Sequence, residues 1–74
     1  MTRLPRVSGK DVVSALRRAG FKLLYVKGSH HYLESPAGHL VTVPIHGKKL
    51  LKPKTLKSIL TQADLSVDEL IELL

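Results

Sequence analysis

Phe21-Lys22-Leu23-Leu24-Tyr25-Val26-Lys27-Gly28-Ser29-His30-His31-Tyr32-Leu33-Glu34 reads as a β-hairpin, and that reading decides the fold. Phe21 through Lys27 is rich in aromatic and branched residues that suit a pleated surface. Gly28-Ser29 is a two-residue turn, and His31 to Glu34 continues as the second strand. Ser35-Pro36-Ala37-Gly38 breaks that strand, and Leu40 to Pro44 forms a third. Val41 and Val43 share one face of it, while Leu40 and Thr42 share the other. Three strands joined by short turns predict an antiparallel meander.

Helical patterns flank the meander. Ser8 is an N-cap with Asp11 as its capping-box partner, and Val12, Val13, Leu16 and Ala19 recur at helical spacing. Arg17 and Arg18 complement the dipole in the last turn, and Gly20 fits the left-handed position that ends a helix, so helix 1 runs from about Gly9 to Ala19. The basic segment before it, up to Val7, is expected to be an irregular arm. Beyond the basic loop Gly47 to Lys52, Pro53 suits the first position of a second helix, striped by Leu56, Ile59, Leu60 and Ala63. Ser66 and Glu69 form a second capping box before a short helix whose expected apolar positions are Val67, Leu70, Ile71 and Leu74. The order α-β-β-β-α(-α) predicts an α+β fold in which the helices cover one face of a three-stranded antiparallel sheet and leave the other open. Double-stranded-RNA-binding domains share that layout.

With 74 residues, the expectation is a single domain spanning 1–74. The absence of cysteine excludes disulfides and zinc–thiolate sites. No apolar run reaches the roughly 20 residues needed to span a bilayer, so no membrane association and a cytoplasmic location are expected. The net charge of +6 is unevenly placed. All 12 Lys and Arg lie in residues 1–57 with only Asp11 and Glu34 against them, a local charge of +10; Asp64, Asp68, Glu69 and Glu72 give residues 58–74 a charge of −4. Such a field draws in polyanions, nucleic acid above all.

Strand alternation separates the paired histidines. His31 shares parity with Leu33 and points to the covered side; His30 shares parity with Tyr32 and Glu34 and points to the open side. His30 is therefore the candidate proton-transfer residue, with His31 as support or alternative. An imidazole exchanges a proton at neutral pH, and RNA carries its own nucleophile in the 2′-hydroxyl. Lys27, across the turn, is placed to offset charge developing on a phosphate, and Tyr32 to stack on a base or donate to a phosphate oxygen. Ser29, His46, Lys48, Lys49, Lys52 and Lys54 complete the candidate RNA-binding set. No metal or other cofactor is expected: neighbouring strand residues point oppositely, and no carboxylate sits at ligand spacing from His30, His31 and His46.

Gly28-Ser29-His30-His31-Tyr32, then Val41-Thr42-Val43-Pro44-Ile45-His46-Gly47, then Leu51-Lys52-Pro53-Lys54-Thr55-Leu56-Lys57-Ser58-Ile59-Leu60, and finally Gln62-Ala63-Asp64-Leu65-Ser66 resemble, in order and spacing, the HicA-type toxins, also described as YcfA-like proteins. Pro53-Lys54-Thr55 stands where Pro-Gly-Thr is common in that family. The resemblance implies a fold like a double-stranded-RNA-binding domain. It also implies a ribosome-independent mRNA interferase, with the Gly-Ser-His histidine, His30, as its catalytic residue. A HicB-type antitoxin would hold it inactive in a hetero-oligomer, and the free toxin would be monomeric. From the residues alone, a non-catalytic RNA-binding module and an adaptor for an acidic protein remain the alternatives.

Overall fold

A computed structural model describes residues 3–74; Met1 and Thr2, the first residues of the expected arm, lie outside them. The elements follow the predicted order: α1 (Gly9–Arg18), β1 (Lys22–Lys27), β2 (His30–Glu34), β3 (Leu40–Pro44), α2 (Pro53–Ala63) and α3 (Val67–Leu73). The strands pair antiparallel in the order β1-β2-β3, giving a small α+β fold.

The local signals behave as their chemistry requires. Ser8 Oγ accepts from the Asp11 amide at 3.2 Å while the Asp11 carboxylate accepts from the Ser8 amide at 3.3 Å, closing the first capping box. Ser66 and Glu69 close the second, at 3.1 and 2.9 Å. Gly28, first residue of the Lys27–His30 turn, has φ +60°, as a type II′ hairpin turn demands of its first central position. At the end of α2, Asp64 takes the left-handed conformation, φ 55°, and the Leu65 amide donates back to the Leu60 carbonyl at 3.0 Å. This helix stop carries no glycine.

The core lies between the helices and one sheet face. Leu33, Val41 and Val43 meet Val12, Val13, Ala15 and Leu16 of α1, Leu56, Ile59, Leu60 and Ala63 of α2, and Leu70 of α3. Three expected positions shift, one in α1 and two in α3. Ala15 rather than Ala19 completes the α1 stripe, because Ala19 is the C-cap and only half-buried. In α3, Leu70 is the buried residue, with Val67 and Leu73 packed at its margin; Ile71 and Leu74 face solvent. The cause is tertiary. The helix packs along α1, and Arg18 Nη1 donates to the Leu73 carbonyl at 2.8 Å, which turns the Val67–Leu70–Leu73 edge inward.

The sheet departs from simple alternation once. Leu23 pairs with Leu33 and Tyr25 with Tyr32, leaving Leu24 as the extra residue of a β-bulge. The bulge accounts for the unbroken apolar run of β1: Leu23 faces the core, Leu24 is extruded and 44% exposed, and Tyr25 lies on the open face. The outer edge of β3 is closed at Thr42, whose amide donates to Gln62 Oε1 of α2 at 3.0 Å. Among the described residues, no helix is long and apolar enough to cross a membrane.

Candidate active site

Register fixes where the histidines point. Val26, His31 and Val43 are cross-strand neighbours, and Val43 is fully buried, so His31 lies on the helix-covered face. Its Nδ1 is buried without a hydrogen-bond partner among the described residues. Lys27, His30 and Pro44 form the adjacent row, which belongs to the open face. His30 is exposed there, and Lys27 is both its partner across the turn and its neighbour on that face. Tyr25, Tyr32 and Thr42 make the next row, and Lys22, Glu34 and Leu40 the one beyond.

The two histidine-bearing segments are joined through the backbone. The Ile45 amide donates to the Ser29 carbonyl at 2.7 Å, extending the β2–β3 ladder past His30 and Pro44. Ser29 is half-buried at this junction, so it holds the motif together. A turn follows in which the Lys49 amide donates to the His46 carbonyl at 3.0 Å, with Gly47 at φ +58°. The Leu51 amide then bonds to the Val7 carbonyl at 2.8 Å, and Ser8 pairs with Leu50. The basic loop is thereby tied to the start of α1.

This path creates a cleft of about 260 Å³ lined by Pro44, His46, Lys49, Leu50, Leu51, Lys52 and Thr55. Pro44 is shared between the cleft and the His30 row, so the two are contiguous. Lys52 is the N-cap of α2 and makes no side-chain cap, so the helix begins at this end of the cleft without a side chain capping its first amides. The predicted set is therefore divided. Lys27, His30 and Tyr32 share the open sheet face, and His46, Lys49 and Lys52 gather in the cleft beside it. Lys48 turns instead towards Ser8, Lys10, Asp11 and Ser14 at the start of α1, and Lys54 is exposed on the first turn of α2. Among the described residues, no group of three or more His, Asp or Glu side chains is placed to hold a metal ion.

The sequence model for the HicA toxin of bacterial toxin–antitoxin systems matches residues 9–65. The chain belongs to the HicA toxin family. The match runs from the first residue of α1 to just past α2, so it takes in the His30 row, the cleft and both histidine-bearing segments, and stops short of α3. No curated protein matches the chain. Membership in the HicA family makes the chain a toxin of a toxin–antitoxin system and implies a neutralising partner.

One exposed aromatic on the open face, Tyr25, was not among the residues the sequence singled out. Tyr25 is 53% exposed and stacks on Tyr32 with ring centroids 4.5 Å apart and planes 16° from parallel. The signal was present. Counting back from a two-residue turn at Gly28-Ser29 puts Tyr25 directly opposite Tyr32, whatever happens further along β1.

Proposed function

We propose that this HicA-family toxin is an endoribonuclease in which His30 is the general acid/base. The observation that carries the reading is the Lys27–His30–Pro44 row: an exposed imidazole beside an ammonium on an uncovered sheet face, continuous with a basic cleft. His30 takes the proton of a 2′-hydroxyl, whose oxygen attacks the adjacent phosphorus. The bond from phosphorus to the 5′-oxygen breaks, and the protonated imidazole returns its proton to that leaving oxygen. The products are a 2′,3′-cyclic phosphate and a 5′-hydroxyl end. Lys27 stabilises charge gathering on the non-bridging oxygens, while His46, Lys49 and Lys52 hold neighbouring phosphates. The role needs no metal, because nucleophile and proton acceptor are both supplied.

The neutralising partner is a HicB-type antitoxin that covers the basic open face with acidic or RNA-like chemistry, in a hetero-oligomer formed in the cytoplasm from a monomeric free toxin. The test is RNA cleavage by the purified chain in excess EDTA, comparing wild type with His30→Ala and His31→Ala, each shown first to fold and to bind RNA. Cleavage lost in His30→Ala alone, with a cyclic phosphate product in wild type, is the expected result. Loss in His31→Ala alone moves the chemistry to the covered face. Wild type that binds RNA without cutting it leaves a binding module.

A further inference from the structure

Tyr25 and Tyr32 stack across the hairpin. A cross-strand aromatic pair strengthens a two-stranded turn wherever it lies. This one stands on the uncovered face, with Tyr25 more than half exposed and Tyr32 half-buried. Along that face of β1, Tyr25 sits between Lys22 and Lys27; across β2, Tyr32 sits between His30 and Glu34. The register places the tyrosine row two residues from the His30 row, roughly 7 Å along the strand. That separation is on the scale of one sugar–phosphate unit. Cations beside an aromatic ring, one nucleotide step from a proton-transfer group, form a stacking surface next to a phosphate site.

We infer that the Tyr25–Tyr32 pair is a platform on which an unpaired RNA base stacks, next to the phosphate held at His30, and that the toxin therefore acts on single-stranded RNA. The inference rests on the RNA-cleavage reading of His30 and adds the form of the substrate. Charge selects the occupant: the face belongs to the +10 segment of residues 1–57, so a polyanion is drawn to it. The rings select the strand state. In an A-form duplex the interior bases are stacked on one another and shielded within the grooves, so only the two end pairs offer a free π-face to Tyr25. Unpaired bases each offer one, and every base has such a face, so the platform sets strandedness more than sequence.

The experiment measures fluorescence anisotropy of a labelled ten-nucleotide RNA bound to His30→Ala protein, which removes the proposed proton-transfer group. The same sequence is also tested as a blunt duplex. Single-stranded RNA is expected to bind more tightly than duplex. Tyr25→Ala in the same background is expected to weaken single-strand binding by about 5- to 150-fold, the range for one base–aromatic stack. Tyr25→Phe keeps the ring and is expected to hold affinity within about twofold. Tyr25→Leu covers Tyr32 without a π-face, so it replaces the alanine variant if that fails to fold, with the same loss expected. Duplex bound as tightly as single strand, or affinity unchanged in Tyr25→Ala or Tyr25→Leu, overturns the platform and leaves His30 chemistry standing. Neither RNA bound, together with no cleavage by wild type, overturns both.

Discussion

Gly9 abuts the carbonyl oxygen of Pro44, so closely that a Cβ at this position would overlap that oxygen and press on Ile45. The contact locks the first turn of α1 onto the end of β3, and Pro44 is the cross-strand neighbour of His30. Exchanging glycine for alanine inside a helix ordinarily gains about 1 kcal/mol. Here the sign reverses. Gly9→Ala is expected to lose roughly 1–3 kcal/mol, because the obstacle is backbone and cannot swing aside. Thermal unfolding checks it: about 4–8 °C is lost per kcal/mol in a domain of this size. Any cleavage activity should fall with it, since the displaced strand carries one side of the His30 row.

His31 offers the opposite kind of substitution. Its ring lies on the covered face opposite Val26 and Val43, and its buried Nδ1 has no partner among the described residues. A buried polar atom left unsatisfied costs about 1–3 kcal/mol, so removing it offsets much of the packing lost with the ring. His31→Leu should hold or raise the melting temperature and retain RNA cleavage. A fall of more than about 8 °C would mean that the imidazole supports the sheet in a way its neighbours do not reveal.

The two capping boxes should differ in weight. Each serine supports its own helix by about 1 kcal/mol. Ser8 is buried and lies where the basic loop pairs with the start of α1, so Ser8→Ala disturbs the helix, the loop and the Gly9 contact together. Ser66 is exposed and caps the seven-residue α3, whose only fully buried residue is Leu70. Urea unfolding is expected to give Ser8→Ala the larger loss, towards 2 kcal/mol, and Ser66→Ala a loss nearer 0.5 kcal/mol.

These contrasts mark what the sequence could disclose. The caps, the Gly28-Ser29 turn and the opposite facing of His30 and His31 are set within a few residues, so they were legible. The Leu24 bulge was not, because Leu23, Leu24 and Val26 are equally apolar and only pairing with Leu33 identifies the extra residue. Gly9 read simply as a helix start, since its constraint comes from Pro44, 35 positions away. The α3 face was misjudged at Ile71 and Leu74 because docking on α1, through Arg18 and Leu73, chose the inward edge. Of the lysines, position in the chain said only that they were basic. In the fold, Lys49 and Lys52 line the cleft beside Pro44, whereas Lys48 lines the one against the start of α1.

That separation makes a prediction about salt. If Lys49 and Lys52 each neutralise a phosphate of a bound single strand, the slope of log affinity against log salt should shrink by about 0.7 for each lysine replaced by alanine. Lys57 is the control. It lines the opposite cleft, between α2 and α3, with Asp64 and Glu69 beside it, and a phosphate has no reason to settle there. Lys57→Ala should leave the slope unchanged, and Lys49→Ala with Lys52→Ala should lower it by about 1.4 together. Equal slopes for all three variants would remove the cleft from the RNA path and confine binding to the sheet face.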